Sequence, residues 1–268
     1  MTSVCLVGVG LIGGSLGQAL RSKRRSGKRL FWVSGCGRST RRLKNAKRLK
    51  AIDEYSLSMK VLIPKADIIV LCVPVQFMAK TMREILPYLK SGAIVTDVGS
   101  VKQKIIIEAK RILGRRKDVF FVGAHPIAGS EKSGVIYSRP DLFSKAACIL
   151  TTDGIQPRAF RTIRKMWEQV GAICTSLTAK KHDEIMALVS HLPHFLSFAL
   201  LSLVEKEARK NSRILSLVGR SFRDMTRVGR SDPILWKGIF RENRFSVKRS
   251  LMRFHRILKT LRIQLLRD

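Results

Sequence analysis

A histidine lies among small residues in the segment GAHPIAGSEKSG, which spans positions 123–134. The segment follows the short apolar run 119–122, which is typical of a buried strand. An imidazole titrates near neutral pH, so one that lies at a strand end beside a substrate is suited to take up a proton as a general base. His125 is therefore a catalytic candidate, whereas a lone histidine elsewhere is more often structural.

Three glycines form a G-x-G-x-x-G motif directly after the first apolar run of the chain. In dinucleotide-binding folds the first glycine makes a tight turn, the second lets the pyrophosphate approach and the third lets a helix pack on the strand. The alternative is a glycine-rich turn without a ligand. We predict a cofactor-binding loop made of Gly8, Gly10, Leu11, Ile12 and Gly13.

The residues after the second apolar run bear on which nicotinamide cofactor binds. NAD is normally recognised by an Asp or Glu about 20 residues beyond the glycines, and positions 1–52 contain neither. The segment SGCGRSTRR instead offers guanidinium groups and hydroxyls, which suit a 2′-phosphate. We therefore predict NADP, although these arginines could simply belong to the general excess of basic residues. The predicted 2′-phosphate contacts are Arg38, Ser39, Arg41 and Arg42.

A second polar segment, DVGSVK at positions 97–102, follows the fourth apolar run. The carboxyl ends of parallel strands meet at the ligand-binding edge of a sheet. Ser100 and Lys102 are therefore candidate site residues, whereas Asp97 is as well explained by a helix cap or a turn as by chemistry.

Short apolar runs separated by helix-length polar stretches must position these groups. They lie at 4–7, 30–34, 67–73, 93–97, 119–122 and 147–151, an alternation that predicts a parallel sheet with crossover helices. After position 153 the chain has helical periodicity, apart from one further run at 172–175. The predicted fold is α/β: a Rossmann-type doubly wound parallel sheet over 1–152 and an all-helical domain over 153–268.

The chain carries 52 Lys and Arg residues against 19 Asp and Glu, a formal net charge of +33. Such a charge attracts polyanions, so binding of nucleic acid or of an anionic membrane surface is one hypothesis. The basic residues are spread over most of the chain and no nucleic-acid-binding motif accompanies them. We therefore favour a solvated basic surface and predict no dedicated nucleic-acid partner.

Neither a membrane span nor a disulfide framework is expected. The longest apolar stretch, 185–204, contains His191, Pro193 and His194, and we interpret it as a helix buried in protein. Five cysteines are an odd number, show no C-x-x-C pairing and lie mostly in apolar segments. They are typical of reduced thiols, which predicts a cytoplasmic protein.

The last part of the chain has the pattern of an amphipathic helix. Apolar residues recur there at spacings of four and three, and basic residues occupy the other faces. Packing in a helical dimer is the favoured use, and membrane-surface binding is the rival. The apolar seam consists of Val247, Leu251, Phe254, Leu258, Leu261 and Leu265.

Five segments occur in order along the chain: GLIGGS, DVGSVK, GAHPIAGSEKSG, HDEIMALVSHLPH and FRDMTRVGRSDPILW. Together they resemble the prephenate and arogenate dehydrogenase family of tyrosine biosynthesis. The resemblance covers nearly the whole chain and implies a homodimer formed through the helical domain. It also implies the reaction: hydride leaves the carbinol carbon of a cyclohexadienol for the nicotinamide, while the ring carboxylate departs as carbon dioxide.

The resemblance assigns roles to individual residues. His125 acts on the substrate hydroxyl, while Ser100 bonds that hydroxyl and positions the imidazole. Arg227 pairs with the substrate carboxylate, a role that suits a bidentate guanidinium. Asp224, Asp183 and Glu131 look like the family's ionic network around the pocket. The predicted substrate-binding residues are His194, Arg227, Lys102 and Arg223.

Other readings stay open at this point. Arogenate is favoured over prephenate only by analogy with relatives that have a similar Arg-Ser cofactor loop. Another NADP-dependent hydroxyacid dehydrogenase would be expected to carry a lysine where this chain has histidines. A polyanion-binding protein on a retired dehydrogenase scaffold would explain the charge.

A metal site is a further alternative. His182, His191 and His194 have a spacing that could bind a metal ion, but no acid or thiol completes a convincing ligand set. The sequence therefore predicts no metal.

Overall fold

The computed structural model describes residues 1–114, 116–130, 132–154 and 156–266. They form two compact units, Met1–His182 and Asp183–Asp268. The strands are β1 (Thr2–Val7), β2 (Arg24–Arg25), β3 (Lys28–Arg29), β4 (Phe31–Cys36), β5 (Glu54–Ser56), β6 (Ile68–Leu71), β7 (Ile94–Asp97), β8 (Phe120–Val122), β9 (Ala124–Pro126), β10 (Ala147–Thr151) and β11 (Ile173–Leu177). The helices are α1 (Leu11–Arg21), α2 (Thr40–Arg48), α3 (Met59–Leu62), α4 (Val75–Ile85), α5 (Gln103–Leu113), α6 (Pro157–Gln169), α7 (Ala179–Met186), α8 (Leu192–Ala208), α9 (Arg213–Ser216), α10 (Arg220–Thr226), α11 (Pro233–Glu242) and α12 (Arg244–Leu265).

The first unit is built on a six-stranded sheet of order β5-β4-β1-β6-β7-β8. Every pair of neighbours is parallel, which confirms the predicted α/β class. Except for the edge strand β5, which is polar and was not predicted, the strands form where the sequence has continuous apolar runs, because both faces of a parallel sheet are covered by helices. The strand order reverses beside β1, so the carboxyl ends of β1 and its neighbours make the crevice in which such folds bind ligands.

A second sheet, of order β11-β10-β9, contains the predicted runs at 147–151 and 172–175. β10 pairs parallel with β11 and antiparallel with β9. This pairing holds the chain from β10 to β11 in the first unit, so the units divide between His182 and Asp183 and not at the predicted 152. β9 is a short strand that the apolar pattern did not predict, and its register places His125 opposite Ile149.

The second unit is helical, as predicted. Its closest approach is between α8 and the turn after α10, where the Ser197 hydroxyl donates to the Met225 carbonyl at 2.7 Å and accepts from the Gly229 amide at 2.8 Å. A Cβ on Gly229 would lie 2.8 Å from the Ser197 oxygen, so only glycine fits there. The Ser197 hydroxyl therefore joins α8 to the turn after α10.

The long helix that contains α7 and α8 differs from its predicted environment. It runs from Ala179 to Ala208 through a π-helical turn at Ala187–His191. By length and composition it could cross a membrane, which on its own is weak evidence, and only 22% of its most apolar window is buried. The stretch 185–204 is thus a helix, but it is not buried within this chain, because the other helices of the unit cover one side of it only.

The C-terminal helix α12 shows the same gradient of exposure. Val247, at the start of its apolar seam, is 4% exposed, whereas Leu258 is 47% and Leu265 is 78% exposed. The first part of the seam therefore packs within the unit and the rest faces outward.

Candidate active site

The glycine loop has the geometry that a dinucleotide requires. Gly8 has φ +97°, and a Cβ there would lie 2.8 Å from the Cys72 carbonyl, so the tight turn demands glycine. A Cβ on Gly13 would collide with the carbonyl of Gly8, whereas nothing lies within 4 Å of one on Gly10. Gly10 precedes α1, whose first turn has neither a side-chain cap nor an acidic residue. Open space before uncapped helix amides fits a pyrophosphate.

The predicted 2′-phosphate residues lie at the carboxyl end of β4, the strand next to β1. The Ser39 hydroxyl accepts from the Arg42 amide at 3.4 Å and caps α2. The side chains of Arg38, Arg41 and Arg42 are exposed, and within the described residues no ion pair involves any of them. Three guanidinium groups are thus available beside the cofactor loop.

Asp97, at the end of β7, is fully buried and organises the neighbouring loops. Its carboxylate accepts from the Gly99 amide at 2.8 Å and from the Ala124 amide at 3.1 Å, and it pairs with the ammonium of Lys102. Lys102 is itself fully buried. This position corrects its prediction as a substrate-binding residue, because its side chain has no exposure and its charge is paired with Asp97.

His125 is held at the carboxyl edge of the sheet. It follows Ala124, the residue that is bonded to Asp97, and its Nδ1 lies 2.8 Å from Nε2 of His182. The two rings cross at 63° with centroids 5.1 Å apart. His125 is half-buried, whereas His182 is fully buried. The ring of His125 is therefore held by contact with a second imidazole. Because it is only half-buried, it keeps access to a ligand.

Ser100 lies three residues beyond the end of β7 and is half-buried. It belongs to the loop between Gly99, whose amide bonds Asp97, and the buried Lys102. The same carboxylate thus fixes the loop of Ser100 and, through Ala124, the strand of His125. Their joint role on one hydroxyl stays a prediction.

In the second unit, the structure brings two predicted substrate residues together. The ring of His194 stacks on Trp236 with centroids 3.6 Å apart, and its Nδ1 donates to the Ser190 carbonyl at 3.0 Å. Burial lowers the pKa of His194 below its usual value, and the positive charge of Arg227 lowers it further, against the Ser190 bond, which raises it. This lowering favours the uncharged form of His194, and Arg227 lies close enough to act electrostatically on it.

The other predicted residues of the second unit lie on α10 and near the start of α7–α8. Arg223 is exposed on α10. Asp224 is also exposed and lies 3.6 Å from Arg220, one turn away on that helix. Asp183 is buried, and its carbonyl accepts from the Asn243 amide at 2.8 Å. Glu131 lies outside the described residues, so the ionic network stays a prediction.

Three residues that support the candidate histidines were missed by sequence reasoning. His182 was weighed only as a metal ligand, yet it bonds His125. Asn243 lies 3.1 Å from Nδ1 of His191, and Trp236 stacks on His194. A signal was present only for His182, a histidine one turn into the helix that follows the last strand. Across the described chain, no group of three or more His, Cys, Asp or Glu could hold a metal ion.

The fold and the site define a two-domain dehydrogenase with a nucleotide-binding domain. Residues 16–176 match the model of the prephenate dehydrogenase nucleotide-binding domain, and residues 178–268 match that of the prephenate dehydrogenase dimerization domain. The chain belongs to the prephenate dehydrogenase family.

Individual relatives agree with this assignment. The chain is 33% identical to the cyclohexadienyl dehydrogenase of Zymomonas mobilis over 97% of its length and 87% of the relative's. It is similar to the crystal structure of Aquifex aeolicus prephenate dehydrogenase in complex with hydroxyphenyl propionate and NAD⁺, with TM-score 0.90, 34% identity and coverage of 100% and 91% of the two chains. It is also similar to the crystal structure of Synechocystis arogenate dehydrogenase, with TM-score 0.80 and 31% identity. That match covers 99% of this chain and 92% of the other. The chain spans 65% and 64% of two further curated prephenate dehydrogenases.

Proposed function

We propose that the protein catalyses the NADP-dependent oxidative decarboxylation of arogenate, of prephenate or of both, yielding tyrosine or 4-hydroxyphenylpyruvate. The observation that carries the proposal is His125, held at the ligand-binding edge by the Ala124–Asp97 bond and by His182. The relatives named above, which are called cyclohexadienyl, prephenate and arogenate dehydrogenases, support the same reaction.

The chain's own groups have distinct tasks in this reaction. His125 takes the proton of the substrate hydroxyl as the carbinol carbon becomes a carbonyl. Ser100 bonds that hydroxyl and orients it toward the imidazole. Arg227 holds a substrate carboxylate, and neutral His194 offers a further polar contact. The nicotinamide, when bound, supplies the hydride acceptor. Loss of carbon dioxide aromatises the ring, which drives the reaction forward.

The preference for NADP rests on the basic residues that follow β4. A 2′-phosphate would gain charge-assisted bonds from Arg38, Arg41 and Arg42, and the first acidic residue of the chain, Asp53, is engaged by Arg21 and Arg29. NAD offers these guanidinium groups only a neutral hydroxyl. We therefore expect a higher kcat/KM with NADP.

The homodimer is proposed from the exposed apolar side chains of the second unit. Leu258, Leu261 and Leu265 continue the seam of α12 without cover in this chain, and the unit matches a dimerization domain. A second copy would bury them. A bilayer suits the long helix less well, because it contains His191 and His194. With five free cysteines, we place the dimer in the cytoplasm.

Steady-state rates with both substrates and both cofactors test the proposal. We expect turnover of at least one substrate and a larger kcat/KM with NADP. Arg41→Ala should raise the KM for NADP about tenfold and leave that for NAD unchanged, whereas Lys44→Ala, on the same helix, should change neither. Equal kcat/KM values with the two cofactors would contradict the NADP assignment. Absence of turnover together with tight, salt-sensitive nucleic-acid binding would favour the polyanion-binding alternative.

A further inference from the structure

We propose that His182 is a positioning residue that fixes the tautomer of the catalytic base, by accepting a hydrogen bond from the Nδ1–H of His125. The inference rests on the proposed function, in which His125 takes a proton from the substrate hydroxyl. Its geometric basis is the 2.8 Å contact between Nδ1 of His125 and Nε2 of His182.

The second sheet holds both rings in place. β9 carries His125 and pairs with β10, with Ile149 opposite His125. β10 pairs in turn with β11, which ends at Leu177, just before α7 begins. The Asp153 carboxylate accepts from the Ala179 amide at 2.6 Å and so anchors the first turn of α7. His182 lies one turn further on, which makes its distance to His125 a property of the sheet and of the helix start.

The contact engages Nδ1 of His125, so base catalysis has to use Nε2. An uncharged imidazole has one N–H and one lone pair, and the partner of one nitrogen decides which it carries. If Nδ1 of His125 accepted from His182, Nε2 would carry the hydrogen and could not take up a proton. If Nδ1 donates, Nε2 has the lone pair. Base catalysis by His125 therefore requires His182 to be the acceptor.

The acceptor is an uncharged ring and not a carboxylate, which helps to keep His125 in its unprotonated form before the reaction. Full burial disfavours a positive charge on a group such as the His182 ring, and an uncharged ring can accept through Nε2. When His125 gains the substrate proton, its Nδ1–H bond to His182 becomes charge-assisted and stronger. A carboxylate in that position would stabilise the protonated His125 before the reaction as well, and would leave less of the base form at neutral pH.

Nitrogen NMR on the full-length chain labelled with ¹⁵N-histidine tests the tautomer directly. His125 is assigned from the signals lost in His125→Asn, and the spectra are recorded without substrate above the pH at which the ring is charged. We expect the hydrogen on Nδ1 of His125 in the wild type, and a shift toward the Nε2–H form in His182→Leu. A wild-type spectrum with the hydrogen on Nε2 would overturn the proposal, whatever the variants do.

Kinetics test the consequence. His182→Leu should lower kcat about 10- to 100-fold, less than removal of the base itself, while the KM for each substrate and for NADP stays within about twofold. His182→Gln, whose amide oxygen can accept from Nδ1–H, should restore most of kcat. A folded His182→Leu chain with unchanged kcat, or equal losses in both variants, would contradict the proposal. Absence of wild-type turnover would instead contradict the proposed function. The NMR spectra would still show which nitrogen of His125 carries the hydrogen.

Discussion

The two units of the chain differ in how completely they bury their side chains. In the first, the central strands are fully buried, and even a charged pair, Asp97 with Lys102, is enclosed. In the second, the apolar residues that are buried form a short series, and many large ones are exposed. The buried ones are Met186, Ala187, Leu192, Trp236, Ile239 and Val247. The exposed ones include Val189, Leu203, Leu217, Ile234, Leu261 and Leu265.

This difference indicates which unit can bury its apolar side chains without a partner. A sheet with helices on both faces excludes water from its own core, so the first unit needs no partner to hold His125 in place. The second unit leaves apolar area in water, which is unfavourable by about 25 cal/mol per Å² until another surface covers it. The chemistry should therefore depend on single residues of the first unit, and assembly on surfaces of the second.

The largest effect tests whether the chemistry lies in the first unit. His125→Ala should lower kcat by about two to four orders of magnitude with little change in cofactor affinity, because the proposed general base is lost and the glycine loop is untouched. Single-turnover rates and a fluorescence titration with NADP measure the two quantities. Turnover at the wild-type rate in this variant would refute the catalytic assignment of His125. It would also contradict the inference that the chemistry depends on residues of the first unit.

The enclosed ion pair tests how far the first unit depends on internal partners. Lys102→Met should lower the free energy of unfolding by about 3–5 kcal/mol, because the Asp97 carboxylate would stay buried without its cation. The double variant Asp97→Asn with Lys102→Met should recover a large part, since no charge is then left unpaired. Urea unfolding measures both, and a loss below about 1 kcal/mol in the single variant would show that the pair is dispensable.

The exposed seam of α12 tests whether the second unit needs a partner. Leu258→Glu should weaken dimerisation at least about tenfold, because the substitution puts a charge on an apolar contact surface. Lys259→Glu changes the charge more but lies off the seam, so it serves as the control. Sedimentation velocity distinguishes them, and equal effects of the two substitutions would point to general electrostatics.

The smallest effect concerns the ion pairs at the other end of β4. Burial raises the pKa of Asp53, but the bonds from Arg29, from the Val33 amide and from Arg21 outweigh it and lower the pKa below its usual value. The stabilisation is therefore complete above about pH 4 and is lost as the pH falls through the folded-state pKa. Asp53→Asn should cost about 1–2 kcal/mol at pH 6. This difference should shrink steadily in acid, as unfolding curves at pH 6 and pH 3 would show, and a pH-independent cost would contradict the role of the charge.

Much of the first unit could be predicted because its strands are continuous apolar runs bounded by glycines and polar segments. The need for glycine at positions 8 and 13 could also be predicted, because the motif requires a tight turn at the first position and close helix–strand packing at the other. β9 could not be predicted in this way, because three residues that include His125 and Pro126 have no apolar period. It forms only because β10, more than 20 residues later, offers a free edge.

The site shows the same limit. The sequence predicts Lys102 as a substrate-binding residue, because it does not tell which way a charged side chain turns after a strand. Asp97, five residues earlier, was noted as a cap or turn residue and is in fact its partner. The contact between His125 and His182 joins segments 57 residues apart, and only the tertiary structure brings them together.

The buried carboxylate of Asp97 has a consequence for how this enzyme can change. It ties the serine loop and the histidine strand to one point, so a substitution there would displace both proposed catalytic residues at once. A substitution at position 97 should therefore lower stability and turnover together. Selection for either property alone has to act elsewhere, on the arginines of the cofactor edge or on the outward faces of the helices.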